Sequence, residues 1–167
     1  MAKNKLLIGV AGLMVTVVAL IIATMFLVPE STNPASATAV NFVNAAATGD
    51  DETALPYMSS TLQESVAENC PDGIPSTCIN SYADESWGGF MSAVFRRQIP
   101  DGNDAWDIQL IATYEDGQGF SGICIYNRVE KIGDEWQVTR WSGFVSCDLP
   151  TSGLQGLASD SAPNLMS

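Results

Sequence analysis

Residues 6–28 (LLIGVAGLMVTVVALIIATMFLV) run for 23 positions without a charged side chain, and only Thr16 and Thr24 are polar. A helix of that length rises about 34 Å, enough to cross the roughly 30 Å hydrocarbon core of a bilayer. A helix packed inside a soluble domain would carry a polar stripe, and this run has none. The run therefore predicts a transmembrane helix at 6–28. Lys3 and Lys5 precede it and every acidic residue follows it. That asymmetry keeps the tip 1–5 in the cytoplasm and sends the rest of the chain across the membrane. The competing reading is a cleaved signal peptide, because Ala35-Ser36-Ala37 is an A-x-A pattern that signal peptidase accepts. An ordinary signal peptide has only about 7–15 apolar residues, so the length favours an uncleaved anchor. Both readings export the domain.

Charge narrows the function classes. The chain has no histidine, and its seven basic residues face 19 acidic ones. Histidine-dependent catalysis and histidine metal ligation are excluded, and so is a phosphate-neutralising basic surface for nucleic acid. With Lys3 and Lys5 left at the tip, the exported part keeps five basic residues against 19 acids, a net charge of −14. Such a domain is repelled as a whole by anionic lipid surfaces and attracts cations or basic partners, and the scattered acids also favour solubility.

All four cysteines, Cys70, Cys78, Cys124 and Cys147, lie beyond the apolar run. An even count in an exported domain reads as two disulfides. Three connectivities are open, and Cys70–Cys78 with Cys124–Cys147 is the most local. A zinc site is the alternative, but no C-x-x-C pair supports it.

Residues 29–38 (PESTNPASAT) are small and proline-bearing, and they read as a linker. A domain is expected over 39–147. It opens with a helix capped by Ser36 or Thr38, carrying Val40, Val43, Ala46 and Ala47 at helical spacing and ending at Gly49. Asp50-Asp51 starts a short second helix with Pro56 near its first turn, and a third covers about 61–68. A turn-rich loop holding Cys70 and Cys78 follows. Four strands come next, at 87–99, 105–114, 120–131 and 135–147, separated by turn signals at 100–103, 116–117 and 133–134. Centring hairpins on Asp116-Gly117 and Gly133-Asp134 places Ile108 opposite Ile125, Asp107 opposite Tyr126, and Val129 opposite Val138. Trp106, Ile108, Leu110, Ile123, Ile125, Val129, Val138 and Phe144 then share one core face. Cys124 and Cys147 fall on the other face, four residues out of line, so their bridge requires a bulge near Ser142-Gly143. Residues 148–167 read as a flexible C-terminal tail.

The segment 39–62 (AVNFVNAAATGDDETALPYMSSTL) resembles the A-x-x-F-x-x-A-x-x-x-G-D opening of the nuclear transport factor two-like, or cystatin-like, superfamily. Gly133-Asp134-Glu135-Trp136 is similar to that superfamily's turn into its final strand. The likeness covers about 37–147. It implies an α+β cone of about three helices packed on a curved four-stranded antiparallel sheet. The cysteine-bearing insert before the first strand departs from the pattern. Bacterial members that are anchored and exported commonly lack an assigned activity.

Candidate chemistry is sparse. Enzymes of that superfamily use an acid or base inside the cone. The non-core face here offers Asp107, Gln109, Tyr126, Arg128 and Trp141, with Asp107 and Tyr126 as a potential proton-transfer pair if buried. An exposed face of ordinary polar residues is the favoured reading. The loop from Asp101 to Asp107 imitates a calcium loop, but Ala105, Trp106 and Ala112 occupy positions that need an oxygen, a glycine and a glutamate. Arg96-Arg97, the adjacent basic pair, is expected at a strand end, paired with acids. No G-x-S-x-G element is present. The expectation is a non-catalytic, single-pass extracytoplasmic module without cofactor or metal, binding a small ligand or a protein partner in the membrane or cell envelope. The alternatives are a structural accessory subunit of a membrane complex and a small exported enzyme.

Overall fold

Asn33 and Pro34 start the first helix. The Asn33 side chain accepts from the Ala35 amide, and Pro34 occupies the first turn, where its missing donor costs nothing. The computed structural model describes residues 33–117, 122–148 and 163–167. The chain divides into two units, Met1–Thr32 and Asn33–Ser167. The expected cytoplasmic tip at 1–5 and the expected span at 6–28 fall in the first, outside the described residues. Among the described residues no helix is long and apolar enough to cross a membrane.

Helix α1 (Pro34–Ala47) begins within the segment expected to be linker, and its cap is Asn33 rather than Ser36 or Thr38. Ala35, Ser36 and Thr38 are buried. Ser36 Oγ donates to the Gln98 side chain, and Thr38 Oγ1 donates to the Trp136 carbonyl. Small side chains serve close packing on the sheet here, where composition alone reads as a tether. The buried stripe continues through Ala39, Phe42, Val43 and Ala46. Gly49, at φ +82°, closes the helix.

Asp50 caps α2 (Asp51–Ala54) through the Thr53 amide, and a 3₁₀ turn, Leu55–Tyr57, absorbs Pro56. Ser59 caps α3 (Ser60–Asn69). The cysteine loop contains a helix the sequence reading lacked, α4 (Pro75–Ser81). Asp51 holds its start by accepting from the Ser76 amide at 2.9 Å and the Ser76 hydroxyl at 2.7 Å. Cys78 is buried in the core and bonded to Cys70, with Cα atoms 4.9 Å apart.

Strands β1 (Phe90–Pro100), β2 (Ala105–Tyr114), β3 (Ile123–Ile132) and β4 (Glu135–Ser146) form one antiparallel sheet in the order β1-β2-β3-β4. The domain is therefore α+β, with four α-helices among the described residues where about three were expected. All eight residues expected on the core face do belong to the core or pack against it. The β2–β3 register is displaced: Ile108 pairs with Asn127 and Asp107 with Arg128, two positions from expectation. A displacement of two preserves side-chain parity, so the faces survive while the partners change. Val129 pairs with Val138 as expected, and the register then shifts at Arg128/Val129 and again at Cys124/Ile125. The second shift lies beside Gly143, at φ +104°, and Phe144, at φ 55°. Together the two shifts bring Cys124 and Cys147 into a disulfide with Cα atoms 5.0 Å apart.

The β4 edge is covered by the chain itself. Ser59 donates its amide to the Val138 carbonyl at 2.9 Å, and Gly143 donates to the Pro163 carbonyl at 2.8 Å. Met166 bridges Trp141 and is buried, so the expected loose tail is docked over 163–167. Residues 149–162 lie outside the described residues. At the β1 edge, a single side chain substitutes for a neighbouring strand. Asn44 accepts from the Ala93 amide at 3.0 Å and donates to the Ala93 carbonyl at 2.9 Å.

Candidate functional site

Of the four residues proposed from sequence for a ligand site, the structure brings two together. Asp107 on β2 lies opposite Arg128 on β3, and their side chains meet at 3.1 Å. Glu130, two residues along the same strand and therefore on the same face, reaches Arg128 Nε at 2.9 Å. Asp101 arrives from the β1–β2 turn and contacts Nη2 at 2.6 Å. Each guanidinium nitrogen thus holds one carboxylate. Partial burial works to lower the arginine's pKa, but the carboxylates of Asp101, Glu130 and Asp107 outweigh it and raise it further. Arg128 is a permanently charged strut at working pH. One cation among three carboxylates gives this cluster an excess of two negative charges, which Arg140, opposite Arg128 on β4, reduces to one.

This cluster forms part of the wall of a half-open cleft of about 660 Å³, shared with Ser59, Thr61, Thr139 and Arg140. The cleft is lined mainly by polar and charged side chains, together with Ile132, and extends from the β1–β2 turn to β4. Its inventory of carboxylates, guanidinium groups and hydroxyls suits recognition by hydrogen bonding and charge. Among the described residues no cluster suited to holding a metal ion is found.

The other two candidates lie elsewhere. Tyr126 sits away from Asp107, buried against Cys124 and Cys147, with its hydroxyl 3.4 Å from Gln109 Nε2. The proposed Asp107–Tyr126 pair does not form, because the two-residue displacement of β2 against β3 gives Asp107 an arginine neighbour. Trp141 is on the core face, fully buried, with its ring centroid 5.4 Å from that of Phe42. The register shift beside Val129 turns it inward. The arginine pair also differs from expectation. Arg96 and Arg97 lie mid-strand, Arg97 donates to Gln109 Oε1, and Arg96 approaches Cys124 Sγ at 3.7 Å.

Asp101 and Glu130 were missed from sequence. Asp101 read as turn chemistry, and nothing local links it to an arginine 27 residues away. Between α1 and the sheet, where the cystatin-like resemblance implies a ligand pocket, Phe42, Met58, Leu62 and Trp141 are fully buried. Among the described residues the buried polar side chains are Ser36, Thr38, Ser59, Ser76, Gln109, Asn127 and Ser142, all of them hydroxyls or amides. Asn127 is fully buried on the core face, and neither polar atom of its amide has a hydrogen-bond partner among the described residues.

Compared with known proteins, the chain matches no family model, no curated protein and no solved structure.

Proposed function

We propose that this chain is a single-pass, membrane-anchored extracytoplasmic module with a cystatin-like domain, and that it binds a partner or small ligand without catalysing a reaction. The observation that carries the reading is the placement of polar chemistry. The core side of the sheet is packed with Phe42, Met58 and Trp141 and buries no carboxyl among the described residues. The charged cluster of Asp101, Asp107, Arg128 and Glu130 instead faces an open cleft. A proton-transfer enzyme of the cystatin-like kind needs a carboxyl in a dry pocket, where burial shifts its pKa toward working pH. A polar cleft open to water suits recognition. The two disulfides support an oxidising compartment, and the apolar run at 6–28 supplies the anchor. The protein partner favoured by the local charge excess carries a basic segment.

The test uses the full chain in its native envelope. A photo-crosslinking residue in place of Thr61, at the cleft, is expected to trap one discrete adduct, with none from the same group at Glu85. Charge reversal at Asp101 and Glu130 should abolish that adduct. Equal labelling from both positions would remove the cleft as the binding site. Protease added outside the cytoplasmic membrane should digest the domain, and protection from it would reverse the topology.

A further inference from the structure

The surface of β1 contrasts with the rest of an acidic domain. Residues 88–100 (GGFMSAVFRRQIP) contain no acid and two arginines, in a chain of 19 acidic residues. Four of the large apolar side chains left in solvent belong to this strand: Met91 at 63% exposure, Val94 at 53%, Phe95 at 46% and Ile99 at 49%. Val94 pairs with Ile111 and Phe95 with Leu110 in adjacent register positions, so they project to opposite faces. Both are nevertheless exposed, so apolar side chains reach solvent on both faces of this strand, while Ala93 between α1 and the sheet stays buried. Isolated exposed apolar residues are ordinary, but a strip of them along one edge marks a contact surface.

We propose that the β1 edge docks on the surface of the lipid bilayer, with Met91, Val94, Phe95 and Ile99 entering the interface and Arg96 and Arg97 pairing with lipid phosphates. The inference rests on the anchored reading given above. Two observations choose lipid over a protein occupant. The first is chain length. The apolar run ends at Val28 and the domain begins at Asn33, so four intervening residues, five steps along the chain, allow a reach of no more than about 17 Å. The start of α1 lies against this same strand, because Ser36 bonds to Gln98. The edge nearest the tether is the edge with the exposed strip.

The second observation is charge. Arg96 and Arg97 contact Gln109 and Cys124 and form no ion pair among the described residues. They remain available to phosphate oxygens. With the two arginines facing lipid, the acids that dominate the remaining surface orient the domain with this edge down. A strand from another protein is disfavoured as occupant, because Asn44 already fills the hydrogen-bonding position at Ala93. Interfacial docking needs side chains and leaves that cap in place.

The experiment places the full chain in lipid nanodiscs whose acyl chains carry bromine, a contact quencher of tryptophan. Val94→Trp should lose at least half of its added fluorescence relative to unbrominated discs. Leu55→Trp, an exposed position on the 3₁₀ turn, should lose almost none. Replacing Arg96 and Arg97 with Glu should cut the quenching at Val94→Trp at least twofold in discs containing phosphatidylglycerol. Equal quenching at the two positions would overturn the proposal. An unquenched Val94→Trp accompanied by cross-linked pairs of chains would overturn it in favour of a second copy. Alkaline carbonate extraction separates the two levels of inference. A chain released by that wash refutes the anchor and the docking together, whereas an integrated chain with unquenched Val94→Trp refutes docking alone.

Discussion

Asn44 shows how much one side chain can contribute at a sheet edge. Its carboxamide meets both backbone groups of Ala93 and also donates to the Val40 carbonyl at 2.8 Å. Ala93 is almost fully buried, so its amide and carbonyl have few other partners available. Asn44→Leu should therefore destabilise the domain by about 1–3 kcal/mol in denaturant unfolding, the usual range for stranding buried polar groups. Asn44→Asp can still accept from the Ala93 amide but cannot donate to its carbonyl, so it should rescue little. Equal stability of all three proteins would show that the cap is idle. Nothing in the sequence signals this role, since an asparagine within a helix carries no information about a strand 49 residues away. The Arg128 cluster was half legible for the same reason. Asp107 and Arg128 occupy one face by strand alternation, whereas Asp101 joins them only through the path of a turn.

At the level of elements, side-chain parity was legible and pairing partners were not. Alternation fixes which face a residue occupies, and a displacement of two leaves that unchanged. The length of the β2–β3 turn sets the partner, and Asp116-Gly117 alone suggested a shorter turn than the one formed. The register shifts of β4 left a trace that was readable in retrospect. Val138, Trp141 and Phe144 recur at intervals of three where a regular strand would give two, and each extra residue is a bulge. Gly143 makes the second shift sterically feasible. A Cβ added there would lie 2.6 Å from the Cys124 carbonyl oxygen, and its φ of +104° disfavours any side chain. Gly143→Ala should accordingly cost about 2–3 kcal/mol, from backbone strain and the clash together. Because the bulge aligns Cys124 with Cys147, refolding the reduced variant should also give a lower yield of that bridge by peptide mapping. Wild-type yield and stability would show that the strand accommodates the methyl group. In the chain-entropy account, the bridge at stake contributes about 3.4 kcal/mol through its 23-residue separation, against about 2.5 for Cys70–Cys78 and its separation of eight.

For the whole molecule, alkaline pH tests the packing on both sides of the core. Burial raises the pKa of Tyr114, which packs on Trp87 and Phe90, and of Tyr82, which packs on Phe144. Raised folded-state values mean that the unfolded chain loses these protons first. Their contribution to stability is complete below the ordinary value of 10.0 and is lost as pH rises through the folded-state values. The thermal midpoint should fall between about pH 9 and pH 11, and Tyr114→Phe, which keeps the ring, should reduce that fall. An unchanged slope would place the tyrosine in water. The start of the domain yields a further prediction about the chain as it is made. Cleavage after Ala37 would remove the Asn33 cap, the buried Ala35 and the Ser36 bond to Gln98. A lost cap, one lost hydrogen bond and a lost buried methyl group together amount to about 2–3 kcal/mol. A domain of ordinary stability has only about 5–15 kcal/mol in total, so trimming at the A-x-A pattern would cut into the folded unit. Protein recovered from membranes should therefore keep its residues ahead of Asn33, as read by intact mass. A chain engineered to start at Thr38 should unfold at lower denaturant than one starting at Asn33. A native mature terminus at Thr38, with no difference between those two chains, would show that the first turn of α1 is dispensable and that the anchor is removed.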